Sequence, residues 1–268
     1  MKRKFLSDQP SLRQRIAMVV VIFIGFNLIE VAAIQFFVCG QYRDLQELNR
    51  SVVELNQERF SEKFTTIHKE AAYLISNEVD FIKLPLLASA GLDYQNSIEQ
   101  IQIANNIRNR LLNLSNVYGN QYYFWCYDSV SGTFLDSYGT NEQKRTFRSY
   151  IIDKLEEEPE SLVENKGFGI EDGRYISMIN HRKTIYLGAM ITINDFYQLI
   201  SQNSSSKEYR YAVYDESGAL VESRVYSGAD RVEQGTVLDK NNFLQEEMLQ
   251  LDNCSFSVGI AVTSRSLE

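Results

Sequence analysis

Cysteine and histidine are scarce in this chain, which has three cysteines and two histidines among 268 residues. Cys39, Cys126 and Cys254 lie far apart, a spacing that suits neither a disulfide framework nor a zinc site of closely spaced ligand pairs. His68 and His181 are too isolated in the sequence to indicate a metal site. We therefore expect a domain that is stabilised by its apolar core and needs no metal or cofactor.

Catalytic motifs and basic stretches are also missing from the sequence. No Ser-His-Asp order, nucleophile elbow or phosphate-binding loop occurs, and scattered carboxylates in an acidic chain do not form a catalytic pair. The formal net charge is −8, and no basic stripe with interleaved aromatic residues is present, which argues against nucleic acid as a partner. The sequence therefore predicts neither an enzyme nor a nucleic-acid-binding protein.

One long apolar run lies near the N-terminus, from Ile16 to Val38. As a helix it is long enough to cross a hydrocarbon core of about 30 Å. Five basic residues precede it against one acidic residue, Asp8, and positive flanks stay in the cytoplasm. The sequence therefore predicts a cytoplasmic segment 1–15, a cell-membrane helix 16–38 and an extracellular or periplasmic domain. The alternative, a cleaved signal peptide, would need a shorter apolar run and a small-residue cleavage site.

Two polar residues, Asn27 and Glu30, interrupt the apolar run. They are three residues apart and therefore share one helix face, and polar groups inside a membrane are costly unless they are paired. One hypothesis is that they form hydrogen bonds between the two helices of a homodimer. The alternative is that Glu30 is protonated, or that its carboxylate reaches the outer membrane surface.

From Gln41 to Ser76 the sequence is charged and nearly free of helix breakers, and its apolar residues recur at the spacing of one helix face. The membrane helix is therefore expected to continue outward as a stalk. A five-residue step shifts the apolar stripe midway. The lower part could then face a partner helix while the upper part packs on the domain, or the whole stripe could pack within one chain. An irregular connection around Pro85 and Gly91 completes the segment 39–95.

After a second helix that starts near Asn96, the pattern changes from helical to extended. Tyr122–Tyr127 and Thr133–Ser137 flank a turn with a glycine and predict a hairpin. The polar run Gln202–Lys207 has the composition of a linker. The other expected elements are a helix at 147–157, strands at 174–179 and 184–193, a helix at 195–201 with Asn194 as its N-cap, strands at 209–214, 219–223 and 255–262, and a helix at 242–250.

Three passages resemble the double Cache family, the extracytoplasmic sensor regions of bacterial receptors such as sensor histidine kinases, in which two PAS-like modules are attached to one long helix. Tyr122–Ser137 is similar to the first strands of the membrane-distal module. Leu187–Ile200 is similar to its last strand and connecting helix, and Tyr211–Val221 to the hairpin of the membrane-proximal module. The resemblance implies an α+β fold, with a distal module over 96–201, a proximal module over 202–268, and antiparallel sheets in both.

The resemblance also implies a ligand pocket between the distal sheet and the helices and loops over it. Aromatic rings with polar tips suit a small organic ligand, although strands are rich in aromatic residues for packing alone. The residues of one amino-acid-binding branch are missing, since Tyr123 replaces its Arg and its Asp position falls near Met190, so that specificity is not implied. The expected lining residues are Tyr118, Tyr123, Trp125, Tyr127, Arg174 and Tyr175.

These features predict a homodimeric membrane receptor that senses a small molecule outside the cell. Ligand binding would alter packing against the stalk only if two conformations bind the ligand with different affinity. The last expected strand ends shortly before Glu268, which predicts that the receptor continues into a second membrane helix and an output domain. The alternative is a membrane-tethered binding or adhesion module for a protein or glycan partner, because a fold does not fix a function.

A double substitution tests the predicted helix contact. Replacing Asn27 and Glu30 together by leucine is expected to weaken self-association of the membrane helix by roughly 1 kcal/mol, because hydrogen bonds between the helices are lost. Energy transfer between labelled full-length chains in lipid vesicles measures this association. Replacing Val20 and Val21 by leucine changes the apolar surface without touching the polar pair and serves as the control. Unchanged energy transfer in the Asn27/Glu30 variant would contradict the dimer hypothesis.

Overall fold

The computed structural model describes residues 12–89, 94–137, 142–157, 167–201, 208–227, 230–232 and 246–262, which contain five α-helices and ten β-strands. The helices are α1 (Leu12–Asn77), α2 (Val79–Ser89), α3 (Tyr94–Tyr118), α4 (Glu142–Glu157) and α5 (Ile193–Ser201). The strands are β1 (Tyr123–Asp128), β2 (Thr133–Asp136), β3 (Gly169–Glu171), β4 (Tyr175–Arg182), β5 (Ile185–Thr192), β6 (Glu208–Tyr214), β7 (Leu220–Ser227), β8 (Asp230–Val232), β9 (Glu247–Gln250) and β10 (Ser257–Val262).

The chain divides into two compact units, one up to Leu48 and one from Asn49 to Ser266. In the first unit, α1 contains the whole apolar run, and none of its most hydrophobic stretch is buried. A helix of this length and composition can cross a membrane, so α1 contains a candidate membrane helix where one was expected, while its orientation stays a prediction. Asn27 donates an amide hydrogen bond to the Phe23 carbonyl at 2.7 Å, so one of its two N–H groups needs no partner helix.

The helix α1 continues without a break to Asn77, which confirms a long helical stalk. In the second unit, the side chains of Phe60, Phe64 and Ile67 on its apolar face are buried. Further toward its N-terminus, the Asn49 amide donates a hydrogen bond to the Ile260 carbonyl at 3.2 Å. From Asn49 onward, the apolar stripe of the stalk therefore packs within the chain.

The second unit contains two antiparallel five-stranded sheets, in the orders β2-β1-β5-β4-β3 and β8-β7-β6-β10-β9. In each sheet the first strand in sequence pairs with both the second and the last, as β1 does with β2 and β5. The pairing of the third strand in sequence differs between the sheets. In the first sheet it pairs with the fourth strand, as β3 does with β4, and in the second sheet it pairs with the second strand, as β8 does with β7. The α+β class is confirmed. The division into modules 96–201 and 202–268 stays a prediction, since both sheets belong to one compact unit.

Phe64 lies in the core that joins α1 to both sheets. Its ring stacks on Phe168, just before β3, with a centroid distance of 4.4 Å, and lies 6.1 Å from Phe196 of α5. Phe64 also has aromatic neighbours in Tyr122, just before β1, at 6.5 Å and Phe256, just before β10, at 6.2 Å. One helix residue therefore contacts the residues that lead into strands of both sheets.

A backbone connection reinforces this core. Phe168 donates its N–H to the Asn253 carbonyl at 2.8 Å, and its carbonyl accepts the N–H of Ser255 at 2.9 Å. A side chain at Gly167 would overlap the Asn253 backbone, so glycine allows the two segments to approach this closely. The segment before β3 is therefore tied to the segment before β10.

Several local expectations about helices are wrong. Pro85 lies inside α2 instead of an irregular connection, and Gly91 falls outside the described residues. The third helix begins at Tyr94, two residues before the predicted start at Asn96. The predicted helix at 242–250 is a strand at its end, because β9 pairs with β10, while residues 242–245 fall outside the described part.

Two predicted boundaries on either side of β5 also differ. The strand β4 continues through residues 180–182, where a turn was expected, and the turn falls at Lys183, which has a φ of 55°. Thr192, not Asn194, caps α5: its Oγ1 accepts the N–H of Asp195 at 3.0 Å and donates to the Asp195 carboxylate at 2.5 Å. The Thr192 side chain is therefore the N-cap of α5. The linker predicted at 202–207 falls outside the described residues.

Replacing Phe64 by alanine is expected to lower the free energy of unfolding by about 3–5 kcal/mol, because a large buried ring is replaced by a cavity. Denaturant unfolding of the full chain in detergent micelles measures this loss. Tyr73 on the same helix is 57% exposed, and Tyr73→Ala is the matched control, expected to change stability by no more than about 0.5 kcal/mol. Equal effects of the two substitutions would contradict the central position of Phe64.

Candidate ligand-binding site

A buried aromatic cluster lies between the first sheet and α4. Tyr123 and Trp125 alternate along β1 and therefore face the same side of the sheet. The Tyr123 ring stacks on Phe147 of α4 at 5.5 Å, and Phe147 meets Tyr175 of β4 edge-on at 5.6 Å. The cluster consists of Tyr123, Trp125, Phe147, Ile151, Tyr175, Ile179 and Met190, with Tyr127, Phe134, Tyr150, Leu155 and Tyr186 packed at its border.

Trp125 lies flat across the neighbouring strand because that strand has a glycine opposite it. Trp125 pairs in register with Gly188 of β5, and a Cβ at Gly188 would overlap the indole ring. Phe134 of β2 lies nearly parallel to the indole, with a centroid distance of 6.0 Å and an interplanar angle of 14°. Trp125 is the only tryptophan of the chain, so its fluorescence reports on this cluster alone.

A buried carboxylate lies at one border of the cluster. The Asp136 side chain is 1% exposed; its Oδ2 accepts a hydrogen bond from the Tyr123 hydroxyl at 2.7 Å and lies 3.3 Å from Nη1 of Arg148. Burial and the nearby Asp136 raise the pKa of the Tyr123 hydroxyl, so the phenol stays a neutral donor. The Arg148 guanidinium also lies 5.8 Å from the centre of the Phe134 ring, within range of a cation–π contact.

A second carboxylate, Glu171, lies at the opposite border of the same cluster. Its Oε2 accepts a hydrogen bond from Ser177 at 2.7 Å, and its Oε1 accepts one from Tyr150 at 3.3 Å and contacts Nζ of Lys154. Glu171 belongs to β3 and Asp136 to β2, the two edge strands of the sheet. The helix α4 is therefore held by one ion pair at each edge of the sheet, with Phe147 between them.

A lysine near the start of α4 is also buried. Lys144 is 6% exposed, and its Nζ donates to Oγ of Ser115 at 2.9 Å and to the Ser137 carbonyl at 3.2 Å. Burial lowers the pKa of Lys144, and the charge of Asp136 opposes this shift. Since Ser115 belongs to α3, this amine joins α4 to α3 and stabilises the position of the helix.

The structure brings together some of the residues predicted to line the pocket. Tyr123, Trp125 and Tyr175 are in the cluster, and Tyr127 lies at its border. Arg174 lies in the turn before β4, not on the strand, and pairs with Asp172 as an exposed residue. Its guanidinium lies 5.7 Å from the centre of the Tyr175 ring, so it adjoins one member of the cluster from outside.

Tyr118 lies on the opposite side of the first sheet. Its hydroxyl donates a hydrogen bond to Glu70 of α1, and its ring lies 6.3 Å from Phe124. Phe124 alternates with Tyr123 and Trp125 along β1 and therefore faces away from α4. Tyr118 consequently belongs to the contact between α3 and the stalk.

The sequence analysis missed the charged residues of the site, Asp136, Glu171, Arg148 and Lys154. Asp136 lies in the second strand of the predicted hairpin, Thr133–Ser137, and is the last residue of β2, while Arg148 and Lys154 lie on the predicted helix 147–157. A carboxylate near the end of a strand and a basic residue on a helix are each common, so no sequence signal indicates that they pair. The glycine opposite Trp125 also had no signal, because its role depends on strand register.

Two open grooves among the described residues lie outside this cluster. An open groove of about 550 Å³ runs along α1 and is lined mainly by acidic and polar side chains, including Glu54, Glu58 and Glu62. A second groove of about 480 Å³ lies between α2, α3 and the β1–β2 turn. The aromatic cluster itself is filled by α4, so a ligand could enter it only if α4 moves.

No family model matches this chain, and no curated protein matches it. Among the solved structures that are similar to it are two domains of one chemoreceptor. The sensory domain of the Campylobacter jejuni chemoreceptor Tlp3 (CcmL) is 13% identical with a TM-score of 0.30, over 81% of this chain and 97% of that one. The Tlp3 ligand-binding domain in complex with L-norvaline is 12% identical with a TM-score of 0.33, over 81% and 94%. Both are receptor sensory domains, the class that the sequence resembles. At these TM-scores, the assignment of function rests on the residues of the chain itself.

Replacing Gly188 by alanine is expected to lower the free energy of unfolding by about 1–3 kcal/mol, because the new methyl group displaces the Trp125 ring. The tryptophan emission should shift at the same time. In a Trp125→Leu background the loss should fall below about 0.5 kcal/mol, since the smaller side chain leaves room for the methyl group. A double-mutant cycle by denaturant unfolding measures both values. Equal losses in the two backgrounds would show that the glycine is needed for another reason.

Proposed function

We propose that this chain is the extracytoplasmic sensor portion of a membrane-anchored receptor, and that it binds a small molecule between the first sheet and α4. One observation carries the proposal: a buried cluster of aromatic rings adjoins a buried hydrogen-bonded carboxylate, Asp136, and the helix that covers both is held at its edges by ion pairs. Aromatic walls with a few polar groups are the usual lining of small-molecule sites. The exposed apolar part of α1 supplies the membrane anchor.

Contacts beyond α4 support a role in signalling. Gln143 at the start of α4 contacts the Asp195 carboxylate of α5. Asn194, the residue before Asp195, accepts a hydrogen bond from Arg224 of β7 at 2.5 Å. Tyr197 of α5 donates one to the Glu222 carbonyl at 2.8 Å. A displacement of α4 could therefore reach the second sheet through α5. Such a route transmits a signal only if the ligand binds two arrangements with different affinity.

The finer parts of the proposal follow from the sequence. The basic flank before Ile16 favours a cytoplasmic N-terminus and an extracellular or periplasmic domain. Association through Asn27 and Glu30 would make the receptor a homodimer. The resemblance to double Cache sensors favours an output domain, such as a histidine kinase, that follows a second membrane helix.

One observation favours the alternative of a tethered binding or adhesion module. The groove between α2, α3 and the β1–β2 turn is lined in part by Ile101 and Val130, which are 61% and 54% exposed. Leu86 of α2 is also 61% exposed. Exposed apolar residues around a groove are typical of a surface that binds a protein, so this face is the candidate docking surface of the alternative function.

Ligand binding can be tested with the fluorescence of Trp125. The full chain in lipid nanodiscs is titrated with amino acids, organic acids, sugars, amines and purines. We expect one class to change the emission saturably and to stabilise the protein by about 2.7 kcal/mol at a hundred times its dissociation constant. The substitution Trp125→Ala removes the main aromatic wall and should abolish this stabilisation. Thermal unfolding measures the effect of the ligand on this variant.

The double substitution Ile101→Ser with Val130→Ser is the matched control, because it changes the apolar groove and leaves the aromatic cluster intact. Small-molecule stabilisation should persist in this variant. A ligand whose effect is lost in the groove variant and kept in Trp125→Ala would place the site outside the cluster. Absence of binding by every class would contradict the proposed function.

A further inference from the structure

The charges around the aromatic cluster indicate which ligand class it would bind. We propose that the ligand is a small organic cation, an amine or a guanidinium compound, and that Arg148 is a tethered cation that occupies its place in the present structure. This inference rests on the proposed function, because it names the ligand class of the same site.

The buried carboxylate of Asp136 favours a positively charged group at the cluster. A buried carboxylate is costly unless charged or hydrogen-bonding partners satisfy it. The Tyr123 hydroxyl, itself inside the cluster, supplies one hydrogen bond. A cationic partner, Arg148, reaches the carboxylate from α4 with 41% of its own side chain exposed, against 1% for Asp136. The anion is therefore fixed inside the site, whereas its cationic partner enters from the surface and can be replaced.

The aromatic rings next to Asp136 favour a cation in the same place. The guanidinium of Arg148 lies 5.8 Å from the Phe134 centroid, and Phe134 is nearly parallel to the Trp125 indole behind it. Ring faces attract cations through their quadrupole, most strongly where water is excluded. A carboxylate beside stacked aromatic rings is thus suited to hold a cation.

The second border of the site has the same arrangement. Glu171 is 13% exposed and is paired with Lys154, which is 26% exposed and belongs to α4 as Arg148 does. The Tyr150 ring lies 4.7 Å from Tyr175 beside this pair. One helix therefore supplies a cation to each of these two carboxylates.

An anionic ligand fits the described residues less well. Asp136 on β2 and Glu171 on β3 would repel it from both sides. Of the basic groups of α4 that face the cluster, Arg148 and Lys154 are already paired with these carboxylates, and the buried Lys144 points to Ser115 and the Ser137 carbonyl. A carboxylate ligand would have to break an existing ion pair and leave a buried carboxylate uncompensated.

Because Arg148 competes with a cationic ligand for Asp136, its removal is expected to change the ligand affinity in a definite direction. Removing it by Arg148→Gln should tighten the binding of an organic cation by about two- to fivefold, the range that corresponds to the worth of a half-exposed ion pair. If Arg148 instead held an anionic ligand, the same substitution would weaken binding. The direction of the change therefore distinguishes the two ligand classes.

The experiment titrates the full chain in nanodiscs with butylammonium, putrescine and agmatine, and separately with propionate and glucose, while Trp125 emission is recorded. The amines should bind saturably, and propionate and glucose should not. Arg148→Gln should tighten amine binding, and Asp136→Asn should weaken it at least tenfold. Arg145→Gln removes the same charge from an exposed position of α4 and is the matched control, expected to change the affinity less than twofold.

Other outcomes separate this inference from the proposed function. Binding of propionate or glucose but not of the amines would overturn the cation assignment and leave a sensor for another ligand. Weaker amine binding in Arg148→Gln would also overturn it. If near-UV circular dichroism shows that Asp136→Asn does not fold, Tyr123→Phe replaces it and removes one hydrogen-bond donor of the carboxylate. The direction in which Arg148→Gln changes amine affinity then decides between the two ligand classes. Absence of binding by all five compounds and by the wider panel would remove the proposed function itself.

Discussion

The burial of Phe64 is the interaction on which the rest of the second unit depends. Its ring contacts Phe168, Tyr122, Phe196 and Phe256, and these residues lead into strands of both sheets or belong to the helix between them. A sheet must cover an apolar face with another element, and α1 covers one face of the first sheet through this contact. The opposite face is left to α4, and the candidate site is consequently the space that a short, separately held helix covers.

The two faces of β1 have different roles because side chains alternate along a strand. Tyr122 and Phe124 lie on the side of the stalk, while Tyr123 and Trp125 lie on the side of α4. The stalk side is covered by the part of α1 that follows Asn49, whereas α4 is held by an apolar contact around Phe147, by the buried Lys144 and by two ion pairs with partly exposed cations. Partly exposed ion pairs contribute little net stability. The two ion pairs at the edges of the sheet therefore add little to what holds α4 over the site.

The sequence alone predicts those parts of the fold that depend on local periodicity. The helical spacing of the stalk and the alternation around Trp125 indicate which residues share a face, and three of the expected pocket residues meet in the cluster. Glu171 and Lys154 are 17 positions apart on different elements, so their pairing depends on tertiary packing that no local pattern records. The same reason explains β9, whose residues Glu247–Gln250 suit a helix but pair with β10, since strand formation depends on its neighbours.

The position of α5 determines how a conformational change at the candidate site could reach the second sheet. The helix follows β5 without a loop, and β5 pairs along its length with β1, which carries Trp125. Thr192 caps the first turn of α5 and donates a hydrogen bond to the Asp195 carboxylate, and Gln143 of α4 contacts the same Asp195. A displaced α4 would remove one partner of this carboxylate while the cap remains. The second sheet is bonded to α5 through Asn194 and Tyr197, so α5 connects the candidate site to both sheets.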